Sequence, residues 1–365
     1  MKILGIGNAI VDVICKVEDN FIKKNNLTKG LMKLFFNEIE FTNLLSNLKI
    51  EKTISGGSVA NSIVGLSQLG NKVGFIGKIS DDTFGIKYED GLKKENVNFF
   101  YTRKKEILPT GTCLILITPD SERTMCTFLG TAGKINKNDL DVEAIKKSDL
   151  IFLEGYLWDE GDPKEAFEEA INLSNKTAMS LSDKFCVDRH KSNFLDLVKN
   201  KLDLVFANEA EIMSLIDAKK FDEVILFGKQ IKKHLIITRG GKGAVSIYNN
   251  EIVEIDAKKD LKIVDLTGAD DTTSKFLAIS LKLSFSKPTK SNCLRDSSII
   301  AFFKFPWWYF FLDIKIYTNI FPLLVEVGTL SLSLNFISLW AAPEGIIGKT
   351  FSALSTHISA STGPR

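Results

Sequence analysis

The chain has 365 residues, 44% apolar and 25% charged, enough for one large globular domain or two ordinary ones. That composition excludes collagen-like, disordered and disulfide-dense classes. Forty-seven Lys+Arg against 45 Asp+Glu leave a net charge of +2, too small to hold nucleic acid by bulk electrostatics, so none is expected as a partner.

The apolar start MKILGIGNAIVDVICKV is broken by Asp12 and lacks a small-residue cleavage site, which favours a buried first strand over a signal peptide. Gly5-Ile6-Gly7 opens like a dinucleotide fingerprint, but Ile10 stands where the third glycine belongs. Asn8 and Asp12, four apart beyond that strand, would bring an amide and a carboxylate to one cleft, and a carboxylate can accept both hydrogen bonds of a vicinal diol. The competing reading has Asp12 satisfying loop amides. Gly56 and Gly57 then precede an apolar helical pattern ending at Gly70; paired glycines admit a ligand to the backbone, and Asn61 sits in the first turn. An ordinary glycine turn would look the same.

Apolar runs recur at Ile3 to Ile6, Val73 to Ile76, Leu114 to Thr118, Leu150 to Leu153, Leu204 to Ala207 and Leu235 to Thr238, separated by amphipathic segments. This alternation predicts a mainly parallel sheet with helices on both faces and ligands beyond the carboxyl ends of its strands. Asp162-Pro163 opens one helix, with Ala166, Phe167, Ala170, Ile171 and Leu173 as its apolar stripe. Residues 13–36 and 97–128 break the rhythm; the second reads as antiparallel hairpins, and a small β lid is the expected place for both.

Three further turns follow predicted strands. Asn208 and Glu211 share a face of a starting helix and suit a hydrated Mg²⁺, or simply a charged helix N-terminus. Thr238, Gly240 and Gly243 offer a hydroxyl and backbone amides to phosphate oxygens, though a plain turn with a basic residue would look the same. Asp265-Leu266-Thr267-Gly268-Ala269-Asp270-Asp271 joins a small-residue turn to carboxylates, a place to stabilise a transferring phosphoryl group and deprotonate a hydroxyl. Cys186, Asp188 and His190 read as a surface loop rather than a metal site. The P-loop ending imitated by Gly345 to Thr350 lacks its first glycine and its strand. Five widely spaced cysteines without a CxxC pair point to a reducing, cytoplasmic compartment.

In this order the segments GNAIVD, SGGSVANSIVGLSQLG, FIGKISDDTFG, PTGTC, PDSERTM, LEGYLWD, LSDKFCVDRH, FANEAE, TRGGKGA and DLTGADD resemble the PfkB carbohydrate kinases, the ribokinase-like kinases, and among them most closely the adenosine kinases. The resemblance covers residues 1–271. It implies a three-layer α/β/α sandwich with a β lid, and ATP-dependent, Mg²⁺-assisted transfer to a primary hydroxyl of a nucleoside or sugar. It further implies Asp12, Gly56, Gly57 and Asn61 as the ribose set, Asn8 as a nucleoside contact and Phe185 as the ring stacked on the base. Arg123 matches a phosphate-contacting lid residue, Asn208 and Glu211 the metal motif, Thr238, Gly240 and Gly243 the nucleotide loop, and Asp271 the general base. Adenosine kinase activity is the primary expectation, a sugar kinase the rival, and a noncatalytic or defective product the third reading. A monomer or homodimer is expected.

Two departures qualify this. Asp270 stands where the family has glycine in Gly-Ala-Gly-Asp, so a second carboxylate faces the anion hole beside Gly268 and Ala269, and impaired catalysis is expected. Residues 272–365 match nothing in the family: they hold nine Lys/Arg and four Asp/Glu, yet ten of the 26 Phe and three of the four Trp. Out-of-frame translation or an assembly join is the favoured reading over a divergent segment or a membrane anchor, because Lys304, Asp313, Lys315 and Glu326 interrupt the apolar runs.

Overall fold

The computed structural model describes residues 1–159 and 163–257. The strands are β1 Lys2–Ile6, β2 Ile10–Lys16, β3 Met32–Phe35, β4 Ile50–Gly56, β5 Lys72–Ile76, β6 Asn98–Phe99, β7 Gly111–Ile117, β8 Arg123–Phe128, β9 Leu150–Glu154, β10 Thr177–Ser180, β11 Leu204–Asn208, β12 His234–Thr238, β13 Ala244–Tyr248 and β14 Glu251–Ile255. The helices are α1 Asp19–Lys24, α2 Glu38–Ser46, α3 Ser58–Gln68, α4 Thr83–Lys94, α5 Val142–Lys147, α6 Pro163–Leu173, α7 Lys184–Asp196, α8 Glu209–Leu215 and α9 Phe221–Ile231.

The main sheet runs β14-β13-β12-β11-β10-β9-β1-β5-β6, parallel from β12 to β6, with β13 and β14 antiparallel at one edge. Its central strands are short apolar runs because both faces are covered: Ile3 and Phe152 pack into one core with α3 and α4, Leu4 and Leu153 into another with α6, α7 and α9. The predicted α/β layering is therefore present. α6 begins at Pro163, and Ala166, Phe167 and Ala170 are buried as the stripe requires. Gly5 lets α3 lie directly on β1, since a Cβ there would stand 2.6 Å from Ile63 Cγ1.

A second sheet, β3-β8-β7-β2-β4, carries the predicted hairpin as β7 and β8. Here the structure revises the sequence reading in three places. Leu114 to Ile117, counted both among the alternating apolar runs and within the 97–128 lid stretch, lies in this sheet as the lid reading expected and not in the main one. Residues 50–56 supply its edge strand β4, which the two rhythm-breaking stretches did not include. Asn98–Phe99 instead extends the main sheet beside β5. Alternation alone does not reveal which sheet a strand joins; the crossover lengths and partners do.

One face of the second sheet is closed off: Val11, Val13, Leu114, Leu116 and Phe128 are buried with Ile22 of α1 and Phe41 and Leu44 of α2, and the Phe41 and Phe128 rings stack at 5.5 Å. The opposite face, by register, presents Asp12, Ile14, Cys113, Ile115, Met125 and Thr127. Among the described residues no helix is long and apolar enough to cross a membrane.

Candidate active site

The carboxyl ends of β1, β9, β11 and β12 form one edge, and the sequence-predicted residues gather there in two clusters. In the first, Asn8 follows β1 and is 2% exposed. Its backbone N–H donates to Glu154 Oε2 at 3.2 Å and its Nδ2 to Oε1 at 3.3 Å. Glu154 ends the apolar strand β9, is equally buried, and also accepts from the Val59 N–H at 3.4 Å in the first turn of α3. A carboxylate at a helix N-terminus among N–H donors is electrostatically well placed.

Gly57 precedes α3 with φ +100°, and a Cβ on it would lie 2.4 Å from the Asn8 carbonyl oxygen. Only glycine takes that conformation in that space without strain. Its carbonyl accepts the Asn61 N–H at 2.9 Å, which fixes Asn61 in the first turn. Gly56, at the end of β4, packs against the Asp12 carboxylate, and the Tyr88 hydroxyl donates to its carbonyl at 3.3 Å. Burial and then the Glu154 and Asp12 charges push the Tyr88 hydroxyl well up, so it remains a donor. Asn8 Oδ1 and Ser58 Oγ are buried without hydrogen-bond partners among the described residues, polar capacity of the kind a ligand or water satisfies.

Asp12 is flanked by Cys113 across the β2–β7 ladder. Burial first, and the Asp12 charge second, raise the Cys113 thiol, which accepts from Thr127 Oγ1 at 3.3 Å. Around them Ile10, Cys113, Leu129 and Ala132 form a small buried cluster, with Leu34 and Ile115 packed against it. The carboxylate thus emerges from an apolar sheet face.

The second cluster starts at β11, three strand positions from β1 along the same edge and about 14 Å from it at ordinary strand spacing. Asn208 and Glu211 make a capping box: Asn208 Nδ2 and N–H donate to Glu211 Oε1 and Oε2 at 2.6 and 3.0 Å, and the Glu211 N–H donates to Asn208 Oδ1 at 2.9 Å. Thr238 pairs in register with Asn208. Gly240 and Gly243 follow with φ +55° and +86°, and the Cβ positions of Gly240 and Gly241 meet nothing within 4 Å. Among the described residues no group of three His, Cys, Asp or Glu could hold a metal directly. An amide oxygen and a carboxylate at the start of a helix are hard oxygen donors, a set that fits Mg²⁺ held through its water shell.

Two predicted residues stand apart. Arg123 begins β8, four residues from Thr127 on the Asp12 face, about 13 Å further out. Phe185 is 70% exposed in the first turn of α7. The loop expected around Cys186, Asp188 and His190 is instead this helix, capped by Asp183 Oδ1 on the Cys186 N–H at 2.6 Å; Cys186 is buried and Asp188 pairs with Lys184. Gly268, Ala269, Asp270, Asp271 and the Gly345 to Thr350 segment lie outside the described residues. Glu154 was missed as an individual residue. Its signal was an acid closing the otherwise apolar strand LIFLE.

A fold of this layering with a glycine-lined polar edge at the carboxyl ends of its strands defines an α/β protein of the small-ligand-binding class. The chain matches the pfkB family carbohydrate kinase model over residues 33–274 and belongs to that family. It is 25% identical to 5-dehydro-2-deoxygluconokinase of Mesomycoplasma hyopneumoniae strain 232, over 69% of this chain and 80% of that one. It is 27% identical to ribokinase of Schizosaccharomyces pombe, over 66% and 77%. Among solved structures, adenosine kinase from Sinorhizobium meliloti superposes with a TM-score of 0.67 at 34% identity, covering 75% of this chain and 85% of that one. A probable sugar kinase from Rhizobium etli CFN 42 gives 0.68 at 32%, covering 75% and 84%. The ribokinase-like fold implied by the sequence motifs is present.

Proposed function

We propose that the chain is an ATP-dependent nucleoside kinase of the adenosine kinase type. The observation that carries this reading is the apolar face around Asp12. A carboxylate suited to a ribose diol projects from Ile10, Ile14, Cys113 and Ile115, a surface that a flat base would cover and a small free sugar would leave wet. The 34% identity to an adenosine kinase supports it.

In this reading Asp12 accepts two ribose hydroxyls, Gly56 and Gly57 let the sugar reach the backbone, Asn8 and Asn61 supply amides, and Phe185 stacks on the base. Thr238, Gly240 and Gly243 receive the nucleotide phosphates, and Arg123 contacts phosphate when the second sheet closes as a lid, excluding water. Asn208 and Glu211 would hold Mg²⁺ through its water shell, where the ion would supply charge neutralisation. Asp271 takes the 5′-hydroxyl proton as the new O–P bond forms at the γ-phosphorus and the bond to the β,γ-bridging oxygen breaks, releasing ADP. Amides of Gly268 and Ala269 stabilise the transferred group. Asp270 opposes that stabilisation, so turnover is slow. Residues 1–271 form the kinase domain, with 272–365 a separate tail, in a cytoplasmic protein that is a monomer or homodimer.

A sugar kinase is the second reading, favoured by relatives named 5-dehydro-2-deoxygluconokinase and ribokinase. A coupled assay of the full chain with adenosine, ribose and fructose separates the two: adenosine turns over fastest, and faster turnover of a free sugar overturns the assignment. Calorimetric binding of adenosine without MgATP would instead identify a noncatalytic protein.

A further inference from the structure

Glu209, the residue between Asn208 and Ala210, opens α8 and faces the glycine loop that follows β12. Arg239 Nε donates to its Oε2 at 3.0 Å and Nη2 to Oε1 at 3.4 Å; Lys242 Nζ reaches Oε1 at 3.4 Å. The Arg239 guanidinium also lies 3.6 Å above the Phe221 ring at the start of α9. The Arg239 and Glu209 side chains are only 17% and 25% exposed, so water screens the pair less than an ordinary surface bridge. The Arg239 guanidinium holds the Glu209 carboxyl below its usual range.

The loop itself is closed by short backbone bonds. The Arg239 N–H donates to the Gly243 carbonyl at 2.8 Å, and the Gly243 N–H to the Gly240 carbonyl at 3.0 Å. Three glycines in five residues give it more unfolded freedom than a loop of residues with side chains would have, and a forked guanidinium–carboxylate contact is an efficient way to remove that freedom. Both basic side chains of the loop are spent on Glu209, while the side of Gly240 and Gly241 stays open.

We propose that Glu209 is a positioning residue for the phosphate donor: clamped by Arg239 and Lys242, it ties the glycine loop to the start of α8 and holds its backbone in the form that receives the triphosphate. This rests on the reading of the loop as the nucleotide site. In it the donor is recognised by backbone N–H groups, and the two nearby cations act on the loop rather than on phosphate.

The test is calorimetric titration of the full-length protein with MgATP and, separately, adenosine. Glu209→Gln is expected to weaken MgATP about five- to tenfold, the equivalent of losing a partly buried fork, and to leave adenosine affinity unchanged. Arg239→Lys, which keeps the charge and loses the fork, falls between. An unchanged MgATP affinity overturns the proposal. So does a tighter one, which would mean that the freed cations bind phosphate, or equal weakening of both ligands together with a fall in Tm. Gly241→Asp is the control, placing a carboxylate on the open side of the loop. If it weakens MgATP while Glu209→Gln does not, the clamp is wrong and the loop reading survives. If neither variant matters, or the unaltered protein binds no MgATP, the loop reading falls too.

Discussion

The Asp12 carboxylate fills the space that a side chain at Gly56 would need: a Cβ there would stand 2.4 Å from Oδ2 and 2.6 Å from the carboxyl carbon. Gly56→Ala must therefore push Asp12 off its position. Adenosine affinity should fall at least about tenfold, and Asp12→Asn, which loses a charge-assisted acceptor, should cost about 2 kcal/mol of binding. Calorimetry checks both, and unchanged affinity in Asp12→Asn removes Asp12 from the acceptor site.

Glu154 plays a comparable part against Gly7, where a Cβ would lie 2.2 Å from Oε2. Glu154→Ala strands the Asn8 and Val59 N–H groups in a buried position, so unfolding in urea should show a loss of about 2–3 kcal/mol. Glu154→Gln, which keeps one carbonyl acceptor, should lose less. Equal stability of the two variants contradicts the hydrogen-bond account.

Lys78, 6% exposed, joins Asp139 at 3.0 Å and Glu106 at 3.6 Å, and Glu106 also accepts from the Tyr101 hydroxyl at 2.6 Å. Glu106 lies just upstream of β7, so the cation ties the end of β5 to the entry of the second sheet. Lys78→Met leaves two largely buried carboxylates without this partner and is expected to cost about 3–5 kcal/mol. A Tm within a degree of the parent protein refutes that estimate.

Burial lowers His234 to about 4, and its Nε2 sits 2.8 Å from Ser246 Oγ with Tyr248 alongside. The folded protein keeps this ring neutral, whereas the unfolded chain protonates it below its ordinary value of 6.5. Its contribution is thus complete above pH 6.5 and lost as pH falls toward 4, amounting to about 3 kcal/mol. In His234→Gln, urea unfolding between those pH values should have a correspondingly flatter pH slope; an unchanged slope shows that other groups set it.

Asp270 gives a prediction from charge alone. Asp270→Gly removes a carboxylate from beside the transferred group while the backbone N–H at that position remains, and should raise kcat by about 10²-fold, the weight that electrostatic stabilisation at such a site carries. Asp271→Asn should lower it by about 10²–10⁴-fold. Steady-state assays of the purified variants decide, and an active Asp271→Asn protein removes that residue from the base position.

Much of this site was readable in the chain before any fold was known. Gly56, Gly57 and Asn61, or Thr238, Gly240 and Gly243, sit within a few residues of a buried strand's end, so their chemistry and backbone needs are local and leave a local trace. The same holds for the apolar strands of the parallel sheet and for the Asn208–Glu211 spacing. What the linear order could not reveal was partnership across the chain. Glu154 meets Asn8 from 146 residues away, Gly56 meets Asp12 because β4 pairs with β2, and Glu209 meets Arg239 because β11 neighbours β12. Strand alternation repeats every two residues in either sheet, so only the assembled pairing decides that Leu114 lies beside Val13, that residues 50–56 form the opposite neighbour of β2, and with these which groups surround the Asp12 carboxylate.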